Sequence, residues 1–325
     1  MKLFYSILCG AYTLAATMFV ASVSAQTISY THEGATIKLR TIEIEAGAEK
    51  PFSVLHCSDS HLAYADEQDD SRKQKLANRR IKIFRNPEAM VRAHLQYAKE
   101  RSLTIVHTGD MVDFVSSANL NKAKDIFGQG GWIVCAGNHE YSLYVGEAKE
   151  DAAYRAQSYD KVQAVYPNDL TFHSHIVNGV NFVTLDNGYY RFSKEQFAKM
   201  KAEVKKGLPI IMVCHNPLYT PDLCDYSLRA SKGKAGHVVG APHEITDTYA
   251  HKERPKGEEW RNRSMQQRAD KTTLRFCKWL KKQEALKAIL AGHCHFYYKT
   301  QFSPTATQYI VGAGYKGEGY IVNIK

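Results

Sequence analysis

Five short apolar runs in this chain end in residues able to hold a metal ion, and no other feature restricts the possible folds as much. Ser53-Val54-Leu55-His56-Cys57 leads into Ser58-Asp59-Ser60-His61. Ile105-Val106 leads into Gly109-Asp110-Met111-Val112-Asp113, and Ile133-Val134-Cys135 into Gly137-Asn138-His139-Glu140. Ile210 to Cys214 leads into His215, and Ile289-Leu290 into Gly292-His293-Cys294-His295. Short apolar runs bounded by glycine and polar residues read as buried strands. In an open α/β sheet, ligands collect outside the carboxyl ends of the strands. Five neighbouring strands of this kind would deliver their endings to one place.

Taken singly, each ending is better explained as a turn or a satisfied core histidine, Asn138 and His215 included. Five such endings in one chain, each after an apolar run, are not explained as turns. Their residue types are oxygen and imidazole donors, a mixture that suits Zn, Mn, Fe or Co better than a thiolate site would. The spacings Asp59-x-His61 and His293-x-His295 let two donors reach one site from a single strand end.

The rest of the chain supplies a mixed α/β frame. Residues 27–46 alternate around Gly34 and read as an edge hairpin. Asn86-Pro87 marks a helix start, and that helix runs to about Arg101. Further helices are expected near 121–127, 147–164, 193–206 and 271–283. Asn178-Gly179 is a hairpin signal between strands 172–177 and 180–186. The closing strands fall at 308–311 and 320–324. Residues 62–85 are polar and heavily charged, and residues 219–269 lack periodicity. Both directly follow donor-bearing strand ends and should flank them, the second as a lid-like insertion.

Met1-Lys2, an apolar stretch from Leu3 to Val20 and the small residues Ala21 to Ala25 form a secretory signal pattern. The expected organisation is a signal peptide over 1–25, then a single domain over 26–325 carrying the insertion at about 219–269. Secretion or a periplasmic location follows, with no transmembrane span after cleavage. The net charge of +10 favours a small anionic substrate or surface. No recognisable nucleic-acid module is present. Six cysteines follow the signal segment. Cys57, Cys135 and Cys214 read as buried hydrophobes, while Cys224 and Cys277 are the better candidates for a bridge.

The series Asp59-Ser60-His61, Gly109-Asp110-Met111-Val112-Asp113, Gly137-Asn138-His139-Glu140, His215 and Gly292-His293-Cys294-His295 resembles the calcineurin-like metallophosphoesterase superfamily. The likeness covers about residues 52–325. It implies a four-layer α-β-β-α sandwich of two mixed β-sheets flanked by helices, with a dinuclear centre of divalent or trivalent ions (Mn, Fe, Zn or Co). By this resemblance Asp59, His61 and His295 hold one metal, Asn138, His215 and His293 the other, and Asp110 bridges them. A hydroxide shared by the two metals would attack a phosphate ester. His139 would donate a proton to the leaving group, steadied by Asp113. The protein Ser/Thr phosphatases of the superfamily have an arginine where Phe114 stands, and the purple acid phosphatases have a ligating tyrosine where Asp113 stands. Neither branch is therefore expected.

The rim around such a centre is expected to be basic, with Arg79, Arg80, Arg229, Lys232, Lys234, Lys252, Arg254, Arg261 and Arg263. Tyr219, Tyr226, Tyr249 and Trp260 could stack on a base or sugar or anchor the insertion. His237, His243 and His251 could reach the site, but they read rather as ordinary loop residues. Two alternatives stand beside phosphomonoester or phosphodiester hydrolysis. One is a binding module of the same fold that has lost catalysis, against which the intact donor set speaks. The other is a nuclease, supported by positive charge alone.

Overall fold

Alternating side chains divide the strands between two apolar layers, and this division stacks the molecule. The computed structural model describes residues 27–146, 150–250 and 265–325. The expected signal peptide (1–25) lies outside those residues. So do 251–264 of the insertion, with His251, Lys252, Arg254, Trp260, Arg261 and Arg263.

One sheet has the order β1 (Thr27–His32), β2 (Ala35–Ile44), β12 (Glu318–Ile324), β3 (Phe52–Cys57), β4 (Thr104–His107), β5 (Trp132–Val134). The other has β10 (Tyr298–Gln301), β11 (Thr307–Ile310), β9 (Leu286–Ala291), β8 (Ile210–Val213), β7 (Val180–Leu185), β6 (Phe172–Val177). Both are mixed. β3, β4 and β5 run parallel, as do β7, β8 and β9, while β1–β2 and β6–β7 are antiparallel hairpins.

Val54, Val106, Ile133, Ile211, Val213, Ala288 and Leu290 fill the layer between the sheets. Their neighbours Leu55, Ile105 and Val134 face the opposite way, against α2 (Pro87–Glu100) and α3 (Ser117–Phe127). Met212, Ile289 and Ala291 likewise face α6 (Lys194–Lys205), α7 (Pro221–Ala230) and α9 (Lys271–Leu280). A period-two strand buried on both faces thus yields helix, sheet, sheet and helix layers. The sandwich expected from the resemblance is present.

Several local signals act as expected. Asn86 caps α2, with Pro87 in its first turn, and Ser193 forms a capping box with Gln196 on α6. Other expectations need correction. The charged stretch 62–85 contains a 14-residue helix, α1 (Ser71–Phe84). Asp70 caps it, and Leu76, Ala77 and Phe84 form its buried side. Its cations other than Arg80 lie away from the buried side, and the six together hide the helix from a hydropathy reading. The insertion is not structureless, since it contains α7 and α8 (His243–Ala250). The helical stretch expected at 147–164 is two short helices, α4 (Ala152–Ala156) and α5 (Tyr159–Gln163), separated near Ser158. Residues 147–149 lie outside the described residues. The expected helix near 121–127 begins earlier, because Ser116 caps α3. Strand β10 was not anticipated, since a short polar edge strand carries little pattern. Cys224 and Cys277 are both free thiols. Each sulfur instead sits close to a different glycine of the insertion, Gly236 for Cys224 and Gly240 for Cys277.

Candidate metal centre

All five apolar runs are strands, and their carboxyl ends meet at one edge of the sandwich. Asp59 and His61 follow β3, Asp110 follows β4, and Asn138 and His139 follow β5. From the other sheet come His215 after β8, then His293 and His295 after β9. The two sheets are joined here by polar contacts. His215 Nδ1 donates to the Thr108 carbonyl at 2.6 Å, and the His293 amide donates to Asp59 Oδ2 at 2.9 Å.

The backbone is strained where the donors sit. Asp59, His61, Asp110, His293 and His295 all have positive φ, between 50° and 67°. Non-glycine residues adopt this left-handed region at a cost, and such strain gathers at functional sites. The neighbouring glycines have no room for a side chain. A Cβ on Gly137 would collide with Asp110 Oδ1, and one on Gly292 with Ser58 Oγ.

Donor atoms from Asp59, His61 and His295 lie within 4.8 Å of one another, and so do those from Asp110, His215 and His293. His295 Nε2 is 3.1 Å from Asp59 Oδ1 and 3.2 Å from His61 Nε2. His215 Nε2 is 3.3 Å from Asp110 Oδ2 and 3.2 Å from His293 Nδ1. Asp110 Oδ2 also stands 3.7 Å from His61 Nε2, so one carboxylate faces both groups. His139 lies close enough to form a third group with His61 and Asp110.

Outer hydrogen bonds set the imidazole tautomers. His215 must carry its proton on Nδ1 to reach the Thr108 carbonyl, which leaves Nε2 facing Asp110. His61 Nδ1 donates to Asp113 Oδ1 at 3.1 Å, which likewise turns a bare Nε2 into the centre. His293 Nε2 meets the Tyr190 hydroxyl at 2.7 Å, leaving Nδ1 toward the centre.

These groups suit cations. Asn138 Oδ1 is buried and has no hydrogen-bond partner within the protein. A buried carbonyl oxygen left alone is costly, and a cation would satisfy it. The carboxylates already draw positive charge inward. Burial alone would discharge His215, but the Asp110 and Asp59 carboxylates override it and push its pKa up to about 10. Burial opposes charge on His139 too, yet Asp110 and the Asp113 hydrogen bond raise its pKa to about 9. Burial would raise the pKa of Asp59, but His295 and His215 hold it below the usual carboxylate range.

Asp113 lies beside the donors. Its main-chain carbonyl accepts from His139 Nδ1 at 2.7 Å, and its Oδ1 is 3.2 Å from the same nitrogen. Arg80 on α1 grips its carboxylate with two bonds, Nε to Oδ2 at 2.6 Å and a second guanidinium nitrogen to Oδ1 at 2.8 Å. Phe84, one helical turn on, stacks on the His61 ring at 4.5 Å with the planes 3° apart. Arg80, read from the sequence only as a rim cation, is therefore tied to the centre.

Asn187 and Tyr190 were not singled out by sequence, and Glu140 stood in a motif without an assigned role. Glu140 accepts from the amides of Asp110, Met111 and Gly137 and from the Tyr166 hydroxyl, clamping two donor loops together. Asn187 Oδ1 accepts from the His215 and Asn216 amides. It follows the apolar strand Val180–Leu185, so it repeats the strand-ending pattern that marked the other loops. His237 also departs from expectation. Its Nδ1 is 3.4 Å from the Tyr190 hydroxyl and its ring 5.3 Å from that of His293. His243 instead bonds the Ala269 carbonyl.

Arg229, Lys232 and Lys234 are exposed at and after the end of α7. That helix reaches the His295 loop through Tyr226, whose ring lies 4.9 Å from Phe296. Tyr249 is buried and anchors the insertion.

A family model described as calcineurin-like phosphoesterase matches residues 52–297. No curated protein matches the chain. Among solved structures, the chain is similar to a dimetal phosphatase from Danio rerio at 12% identity, covering 82% of this chain and 88% of that one, with a TM-score of 0.47. It is also similar to a putative 5'-nucleotidase from Staphylococcus aureus at 10% identity, covering 82% and 49%, with a TM-score of 0.41. A third similarity is to PhoD, at 12% identity, 87% and 60% coverage, and a TM-score of 0.45.

Proposed function

Because the chain belongs to the calcineurin-like phosphoesterase family, and is thus a metal-dependent phosphoric ester hydrolase, we propose that its centre is dinuclear and acts on phosphate esters. The supporting observation is the pair of donor groups, Asp59–His61–His295 and Asp110–His215–His293, facing the one Asp110 carboxylate. In this reading the first group and Asp110 hold one ion, and Asn138 with the second group holds the other. When bound, the ions would supply hydroxide near neutral pH and neutralise the phosphoryl oxygens.

The remaining work falls to the chain itself. His139 Nδ1 is committed to Asp113, so Nε2 of the charged ring is the proton available to a departing alkoxide. Asp113 holds that ring in place and also orients His61. Glu140 fixes the spacing of the Asp110 and Asn138 loops. We further propose that residues 1–25 direct export, to the periplasm or outside the cell, and that 26–325 act as one catalytic domain.

The test is a side-by-side assay of aryl phosphate mono- and diesters with protein stripped of metal and then reloaded with Mn or Zn. Hydrolysis that depends on reloading is expected. Full activity in verified metal-free protein, or inactivity on every ester with two ions bound, would overturn the reading.

A further inference from the structure

The outer side of α1 carries a row of cations that the centre itself does not use. Between Ser71 and Phe84 the helix has six basic residues and no acidic one. At 100° per residue, Arg72, Lys75, Arg79 and Lys82 fall within an arc of about 80°, in a row about 15 Å long. All four are exposed. Among the described residues no acidic side chain pairs with Lys75, Arg79 or Lys82. Like charges at Lys75, Arg79 and Lys82 repel one another along one helix ridge, an arrangement that complements a polyanion.

The row is also placed beside the chemistry. The opposite side of the same helix supplies Arg80 to Asp113 and Phe84 to His61. Exposed Arg85 and Lys316 continue the charge around the end of α1. An aromatic ring stands at each end. Arg72 lies 3.6 Å over Tyr144, while half-buried Tyr315 packs against Phe84 at 4.8 Å and His295 at 5.4 Å.

We propose that this face of α1 is a docking track for single-stranded nucleic acid, guiding a linear phosphodiester chain to the centre; this rests on the phosphoesterase reading above. Cations that follow a backbone, with an aromatic ring such as Tyr315 at the end nearer the centre, are the elements such binding requires. An anionic membrane fits less well. Ile83 is the one exposed large apolar residue on the helix, so there is no apolar face to enter a bilayer.

The experiment compares the wild-type, metal-loaded protein with K75Q/K82Q, whose exposed glutamines leave the helix and centre intact. The probes are a fluorescent 15-nucleotide oligothymidylate, bis-p-nitrophenyl phosphate and phosphatidylglycerol vesicles. Each lost phosphate contact flattens the salt dependence by about 0.7. The ratio of variant to wild-type Kd should therefore be about sevenfold larger at 50 mM than at 200 mM salt. Cleavage of the small diester should change less than twofold. Equal oligonucleotide affinity in the two proteins, equal losses on both substrates, or binding to vesicles without binding to the oligonucleotide would each overturn the proposal. Hydrolysis of an aryl monoester but not of the small diester would also overturn it, whereas inactivity on both would count against the phosphoesterase reading, because the binding comparison does not depend on turnover.

Discussion

Replacing Arg80 with methionine tests how far the centre depends on a helix that touches no candidate ligand atom except through Phe84. The Asp113 carboxylate is fully buried, and Arg80 is 20% exposed. Both Asp113 oxygens bond the guanidinium, and Oδ1 also faces His61 and His139. Removing one partner of a buried pair costs about 3–5 kcal/mol. Arg80 itself is partly exposed, so the cost is discounted to about 2 kcal/mol, or a Tm lower by about 5 °C. Methionine keeps an unbranched side chain of similar reach, and the guanidinium contact with the Phe84 ring is lost along with the ion pair. Loosening Asp113 should also weaken metal affinity or turnover by about 10- to 100-fold, the usual effect of losing an outer-shell partner. The sign with pH is definite. Burial would raise the pKa of Asp113, but bonds from Arg80, His139 and His61 depress it. Its stabilisation is therefore present above the unfolded carboxylate pKa and lost as pH falls toward the lower folded value. In the variant that pKa rises, so the Tm deficit should shrink once pH falls below it. Melting curves from pH 4 to 8, with a chelator-competition titration for metal, provide the measurement. Wild-type Tm and metal affinity in Arg80→Met, with Arg80→Lys no different, would refute the assigned role.

Three further outcomes are expected. His139→Ala should retain metal but lose turnover about 10²- to 10⁴-fold on alkyl esters, and far less on esters with good leaving groups; equal losses would remove the proton-donor role. In the wild type the alkyl-ester rate should fall on the alkaline side as His139, whose charged form the Asp113 hydrogen bond favours, discharges, and a pH profile shared with activated aryl esters would contradict this. Tyr190→Phe removes the hydroxyl from His293 Nε2 and should weaken binding of one ion about tenfold while leaving the other intact, which a two-site metal titration can resolve.

The strand-ending loops were legible because the physics that builds them is local. A short apolar run is a buried strand in almost any context, and Gly137 or Gly292 beside a polar donor records a turn with no room for a Cβ. The edge hairpin, the Asn86 cap and the Ser193 capping box were legible for the same reason. α1 was not, because six cations lower the apparent hydropathy of a helix whose packed side needs only Leu76, Ala77 and Phe84. Nor could the roles of Arg80, Asn187 and Tyr190 be read, since each depends on a partner distant in sequence. Arg80 and Asp113 are 33 residues apart, and Tyr190 and His293 are 103 apart.

The sequence by itself determined which side chains are available as donors and that each stands at the end of a strand. Those facts follow from composition, periodicity and the steric demands of single turns. Tertiary structure alone decided that β8 and β9 of one sheet bring His215, His293 and His295 against Asp59 and Asp110 of the other. It also decided that an outer layer of bonds sets the tautomers of His61 and His215. Sheet order and inter-sheet packing are sums over many weak, long-range contacts, and no short stretch of sequence contains them.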